Sequence, residues 1–251
     1  MDLKLKGKVA MVTGGAGGLG REMCISLGAE GAVVVVAESD EKGGRKVAAD
    51  ITEQGGDAAC LRLDVTDSAA VASVVDEAVR RYGTVDVLVN AAGITDRRPA
   101  LEFPEEVFDR IIAVNLKGTF LCCQAVGRIM AEKKKGKIIN ISSIGGTVGL
   151  KNTVAYCASK GGVVQLTRAL AVDWAQYNIN VNAVAPGLNE TTLARQVFQD
   201  RQTLDWFLSK IPLGRLCLPR EVAAAALFLA SEASDYITGH VLAVDGGWTA
   251  E

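Results

Sequence analysis

Two side chains in the second half of the chain are suited to moving a proton. Tyr156 and Lys160 stand four residues apart, a spacing that sets both on one face of a helix. A free phenol titrates near pH ~10. An ammonium beside it, together with a cationic ring, favours the phenolate. Bringing the phenol near neutrality takes about three units, or roughly 4 kcal/mol of differential stabilisation. Ser142 and Ser143 close the apolar run Ile138-Ile139-Asn140-Ile141 upstream, which sets a hydroxyl at the end of an expected strand. This pattern suits general acid–base transfer at a hydroxyl or carbonyl oxygen. Tyr-x-x-x-Lys pairs arise often by chance, so the pair carries meaning only with a site for the second reactant.

That second site lies near the N-terminus. Thr13-Gly14-Gly15-Ala16-Gly17-Gly18-Leu19-Gly20 follows an apolar run and opens a stretch of helical period. Glycine tolerates positive φ in a tight turn and lets the backbone approach a phosphate. A helix N-terminus offers free N–H groups and partial positive charge to a pyrophosphate. Strand before and helix after are the context a dinucleotide-binding turn requires. Glu38 ends the next apolar run, eighteen residues after Gly20. A carboxylate there accepts hydrogen bonds from the adenosine ribose and repels the extra phosphate of NADP. Ala37 and Ser39 are uncharged and the glycine turn holds no Arg or Lys, so NAD is the expected cofactor, with NADP disfavoured.

The elements that must position these groups alternate along the chain. Lys8 to Val12, Val33 to Ala37, Ala58 to Leu63, Val85 to Val89, Lys137 to Ile141, Asn180 to Val184 and Val241 to Val244 are predicted strands. Leu19, Met23 and Leu27 mark the first helix, and helical patterns follow near 41–54, 68–82, 104–131 and 154–177. Such alternation implies parallel pairing through right-handed crossovers. Strand cores that are almost entirely apolar imply a sheet covered on both faces. The predicted architecture is α/β: a single doubly wound parallel sheet, the Rossmann fold, spanning 1–251 as one domain. The stretch 188–211 breaks the rhythm after a strand carboxyl end and is expected to form a helical lid over the substrate.

Composition narrows the alternatives. Net charge is −2 with acids and bases interspersed, which disfavours nucleic acid as a partner. The basic run Lys133 to Lys135 reads as a solvated loop. The N-terminus lacks a signal core and no run reaches the ~18 apolar residues of a membrane span, so a cytoplasmic protein is expected. Six scattered cysteines without a Cys-x-x-Cys pair read as reduced packing thiols. His240 is the one histidine, which disfavours a His-based zinc site or a Ser–His–Asp triad, and no metal is expected.

Taken together, these motifs resemble the short-chain dehydrogenases/reductases over nearly the whole chain. The glycine turn is similar to that family's Thr-Gly-x-x-x-Gly-x-Gly, and Asn90-Ala91-Ala92-Gly93 to its Asn-Asn-Ala-Gly, with Ala91 in place of the second Asn. The resemblance implies that Gly14, Gly18, Leu19, Gly20, Glu38, Asn90, Ala91 and Gly93 serve the cofactor and that Asp64 and Val65 contact adenine. It implies that Pro186, Gly187 and Thr191 hold the nicotinamide carboxamide, with Asn189 replacing the usual apolar residue. It also implies roles at the catalytic end. Tyr156 is the general acid or base, and Lys160 tunes it and binds the nicotinamide ribose. Ser143 bonds the substrate oxygen, and Asn115 orders a water. A homotetramer is implied as well, built partly from the 104–131 and 154–177 helices, an alanine-rich helix over 221–230 and a final strand over 236–244 in which His240 would pack at a subunit contact.

The substrate is a small molecule. Arg97 and Arg98 follow the fourth strand closely enough to sit at the rim, where arginine suits a carboxylate or phosphate. Residues 97–130 and 234–248 resemble the branch that oxidises gluconate and deoxy-keto-gluconates. Glu190, Arg195, Gln196 and Gln199 make the lid polar. A hydroxylated substrate such as a polyol, sugar or sugar acid is therefore expected. The alternatives are a 3-oxoacyl-acyl-carrier-protein reductase, which Glu38 disfavours, and a non-catalytic dinucleotide sensor, which intact Asn115, Ser143, Tyr156 and Lys160 disfavour.

Overall fold

The computed structural model describes residues 3–189 and 201–250. Seven strands form one wholly parallel sheet: β1 (Val9–Thr13), β2 (Val33–Glu38), β3 (Asp57–Arg62), β4 (Val87–Asn90), β5 (Gly136–Ile141), β6 (Ile179–Pro186) and β7 (Val241–Val244). Their order is β3-β2-β1-β4-β5-β6-β7, which reverses direction between β1 and β4. The two halves of a doubly wound sheet part there, and a crevice opens beyond the strand carboxyl ends.

Helices α1 (Gly18–Ala29), α2 (Glu41–Glu53), α3 (Ser68–Tyr82), α4 (Glu105–Ile112), α5 (Thr119–Lys133), α6 (Val154–Trp174), α7 (Arg201–Ser209) and α8 (Pro219–Ala230) surround it. Ala10 and Val12 of β1 face a core closed by Met23, Leu27 and Val222. Val9 and Met11 face the opposite core, with Val75, Val126 and Met130. A strand buried on both faces has no polar side to show in its sequence, which is why β1, β2 and β4 read as unbroken apolar runs.

Two expectations are corrected. The 104–131 pattern is three pieces: α4, a π-helical segment Ala113–Gly118, and α5. A π segment widens one turn by a residue, which a periodicity near 3.6 does not register. The final strand is also shorter than 236–244. Before Val241 the chain is held by side chains of β6: Asn180 Nδ2 and Asn182 Nδ2 donate to the Ile237 carbonyl at 3.1 and 2.8 Å, and Thr238 Oγ1 accepts from Val181 N at 3.1 Å. Gly239 takes φ +73°, so His240 lies outside the strand and is exposed. Lys133 to Lys135 are exposed as expected; Lys133 meets Asp86 and Lys135 meets Glu232. Among the described residues, no helix is long and apolar enough to cross a membrane, and no three metal-ligating side chains are gathered.

Candidate active site

The β1–α1 turn is shaped for close backbone approach. A Cβ on Gly14, whose φ is +67°, would lie 2.7 Å from the Ala92 backbone, and one on Gly20 would collide with the Gly14 carbonyl oxygen. The N-terminus of α1 has no side-chain cap and no acidic residue in its first turn, whereas Asp40 caps α2 and Asp67 caps α3. Its N–H groups are thus open to an anion. A dinucleotide pyrophosphate fits this turn.

Glu38 ends β2 beside that turn. Its Oε2 accepts from Ala16 N at 3.0 Å, and its Oε1 from Ser39 N at 2.8 Å. The carboxylate therefore braces the glycine turn as well as facing its rim, a role that sequence position alone does not disclose. Arg21, the nearest helix cation in sequence, is paired with Asp50 at 2.8 Å. Asp64 Oδ1 is turned onto Thr66 N and Oγ1, and these bonds hold its carboxyl below the usual range. Val65 is buried against Gly118.

At β4 the expected cofactor residues divide. The Asn90 side chain points into the sheet core, donating to Asn140 Oδ1 at 2.9 Å, and Asn140 in turn donates to Thr167 Oγ1 at 2.9 Å. Asn90 Oδ1 is buried with no partner among the described residues, so the backbone of Asn90 is what remains to meet a cofactor. Gly93 is different: a Cβ there would lie 3.4 Å from Asn115 Oδ1 and 3.5 Å from Lys160 Nζ. The space in front of Gly93 thus touches both groups.

The catalytic candidates converge beyond β4 and β5. Lys160 Nζ donates to the Ile141 carbonyl at 2.7 Å and lies 5.8 Å from the Tyr156 ring centre. Ser142 Oγ donates to the Lys160 carbonyl at 3.0 Å, fastening the helix to the strand end. Burial pushes the Lys160 ammonium down to about 8. Burial also pushes the Tyr156 phenol upward, opposed by its hydrogen bond with Ser143. The expected lowering of the phenol is therefore not produced by the polypeptide alone: desolvation outweighs the favourable contact. Ser143 Oγ accepts from Gly145 N at 3.1 Å, which fixes the oxygen.

Asn115 is fully buried in the π segment. Its Oδ1 accepts from Ile94 N at 2.8 Å, and its Nδ2 donates to the Ile94 carbonyl at 2.9 Å and to Ser159 Oγ at 3.0 Å. Ser159 donates onward to the Tyr156 carbonyl at 2.7 Å. Sequence reasoning missed Ser159; its place between Tyr156 and Lys160 was the available signal. Pro186 ends β6, and Gly187 is pressed against Asp245, where a Cβ would lie 2.8 Å from its Cα. Asn189 donates to the Gly187 carbonyl at 3.2 Å and bridges Cys217. Thr191, Glu190, Arg195, Gln196 and Gln199 lie outside the described residues.

The two rim arginines separate. Arg98 is paired with Asp96 at 2.9 Å. Arg97 stands over the Phe207 ring, 5.6 Å from its centre, and lines a cavity of about 340 Å³.

A glycine turn, a Ser–Tyr–Lys group and a buried Asn thus meet at one edge of the sheet. Over residues 14–249 the chain matches the family profile described as enoyl-(acyl carrier protein) reductase. It is a short-chain dehydrogenase/reductase. As such it is an oxidoreductase of CH–OH groups that uses NAD or NADP. It is 41% identical over 253 residues to the NAD-dependent glycerol dehydrogenase of Listeria innocua, covering 99% of this chain and 96% of that protein. It is 40% identical over 247 residues to the 2-dehydro-3-deoxy-D-gluconate 5-dehydrogenase of Dickeya dadantii, covering 98% of this chain and 97% of that one. A crystal structure of a gluconate 5-dehydrogenase from Burkholderia cenocepacia, in complex with NADP and tartrate, matches with TM-score 0.97 at 37% identity, covering 100% of this chain and 98% of that chain.

Proposed function

We propose that this dehydrogenase interconverts a secondary alcohol and a ketone on a polyol, sugar or sugar acid, with NAD(H) as its preferred cofactor. The observation that carries the reading is the convergence of Ser143, Tyr156, Lys160 and Asn115 beside the glycine turn. The resemblance of the chain to glycerol and gluconate-type dehydrogenases supports a hydroxylated substrate. Glu38 supports NAD, because its carboxylate stands where a 2′-phosphate would be repelled.

The residues divide the work as follows. Tyr156 Oη takes the hydroxyl proton in oxidation and returns it in reduction. Ser143 Oγ accepts from Gly145 and bonds Tyr156, so its hydrogen stands beside the phenol and is turned to the substrate oxygen as negative charge develops there. Lys160 uses one of its three N–H bonds on Ile141, leaving two for the ribose of the cofactor. Its positive charge also favours the phenolate. Both amide hydrogens of Asn115 are engaged, so Oδ1 is the atom left to hold a water in the space before Gly93. The glycine turn and Glu38 hold the dinucleotide, with the backbone at Asp64, Val65, Asn90 and Ala91 beside it. The nicotinamide, when bound, supplies the hydride acceptor or donor.

The test is NADH formation at 340 nm over a panel of polyols, sugars and sugar acids, run in parallel with NADP. Turnover on at least one hydroxylated substrate, faster with NAD, is expected. Absence of turnover across the panel, or a preference for NADP, overturns the corresponding part of the proposal.

A further inference from the structure

Three cations from distant parts of the chain meet at one cavity. Arg97 follows β4, Lys151 lies in the loop before α6, and Lys210 directly follows α7. Among the described residues, no carboxylate lines that cavity. Among the described residues, none of the three is ion-paired. Elsewhere the protein's cations are commonly neutralised: Arg21 by Asp50, Arg45 by Glu41, Arg80 by Glu77 and Arg215 by Glu221. Three cations unpaired among the described residues, around one concavity in a chain of net charge −2, set up a local positive field.

The cavity is also built rather than incidental. One wall is aromatic: Trp206, Phe207 and Trp248 form a cluster with ring centres 5.0 to 6.3 Å apart. Such a wall covers the CH face of a carbon chain and lowers the local dielectric around the cations. The opposite wall, Val148 to Lys151, is fastened to the catalytic helix. Thr153 Oγ1 donates to the Leu150 carbonyl at 2.8 Å, and Val148 N donates to the Ile144 carbonyl at 2.9 Å, one residue beyond Ser143. Lys210 is placed by the C-terminal turn, since Gly246 and Gly247 fit closely against Ile211 and Pro212.

We propose that Lys151 and Lys210 form the seat for an anionic end group of the substrate, with Arg97 bracing the aromatic wall beside them. The site takes a polyhydroxylated chain that ends in a carboxylate or a phosphate, with the carbinol carbon directed toward Ser143 and Tyr156. The inference rests on the proposed function and narrows its substrate class from polyols in general to anionic ones.

The experiment reads binding without turnover. The Tyr156→Phe protein, loaded with NADH, is titrated calorimetrically with D-gluconate, D-glucitol and D-glucitol 6-phosphate. An anion is expected to bind roughly tenfold or more tightly than glucitol at low salt, the size two partly exposed ion pairs can supply. That advantage shrinks as salt is raised. It is lost in Lys151→Met/Lys210→Met and retained in Lys151→Arg/Lys210→Arg. The tighter of the two anions identifies the end group. Equal affinity for glucitol and both anions, or a preference that survives the double Met change, overturns the seat. Failure of the wild-type enzyme to produce NADH with hydroxylated substrates would overturn the proposed substrate class and leave this binding result standing.

Discussion

Burial governs the electrostatics of the two side chains proposed to carry turnover. Lys160 is 5% exposed and its ammonium is pushed down to about 8 from an ordinary 10.5. Below pH 8 both folded and unfolded chains carry that proton, and the folded state bears the whole desolvation cost, about 3 kcal/mol. Between pH 8 and 10.5 the unfolded chain holds more protons, so stability rises with pH through this group. Urea unfolding of wild type and Lys160→Met should therefore show a difference that shifts in favour of the wild type across that window. A difference independent of pH would contradict the buried-ammonium assignment. Tyr156→Phe removes the transferable proton while keeping the ring. A turnover loss of ~10²–10⁴-fold with NAD binding retained is expected, read from initial rates and a cofactor titration. Glu38→Arg should move the NAD-to-NADP ratio of kcat/KM toward NADP by about tenfold or more. The same change breaks the bond to Ala16 N, so the comparison belongs on the ratio between cofactors.

The helices and strands place these groups by departing from regularity at particular points. The π segment Ala113–Gly118 turns Asn115 inward, where it satisfies both backbone groups of Ile94 after β4 and meets Ser159 on α6. One side chain thus ties the end of β4 to α6. Asn115→Ala would leave the part-buried Ile94 N–H and carbonyl without their side-chain partner, at a cost of about 1–2 kcal/mol. Denaturant unfolding checks this, and kcat should fall with it because Ser159 loses the contact that aligns α6. Helix α1 departs in the opposite way, by lacking a cap. Its open N–H groups are a liability in isolation and become an asset with a pyrophosphate in place.

Two apolar cores, one on each face of the sheet, leave the outer helix surfaces as the remaining place for hydrophobic side chains. Phe108 on α4, Phe120 on α5, Val154 and Val172 on α6, and Tyr236 before β7 are all exposed. We propose that these faces are covered in a homotetramer, because large apolar groups on adjoining helices mark association surfaces. Light scattering on the eluted protein should give four times the 26.3 kDa chain mass. Phe120→Glu should shift the population to smaller species, and a wild-type monomer would refute the assembly.

The pattern of residues was enough to specify the sheet and the family. Apolar runs alternating with helical periods permit one covered parallel sheet, and strand β7 lies within the expected segment. Gly14 to Gly20, Glu38 and Ser143 could be placed from sequence because each ends or directly follows a strand, and parallel strands deliver such ends to one edge; Tyr156 and Lys160 could be placed by their four-residue helical spacing. What the pattern could not disclose depended on contacts between distant segments. The inward turn of the Asn90 side chain was decided by Asn140, fifty residues away. Arg97 and Arg98 are equivalent in sequence, yet Asp96 neutralises one and Phe207 receives the other. Lys151 and Lys210 carry no motif at all; they come to line one cavity through the fold, with the C-terminal turn packed against Ile211 and Pro212 beside Lys210. Periodicity and spacing report local geometry, and so they yield the elements and their ends. Desolvation and charge pairing arise from the whole packed chain, and so the direction of the Tyr156 and Lys160 shifts and the cationic cavity emerged only in the folded molecule.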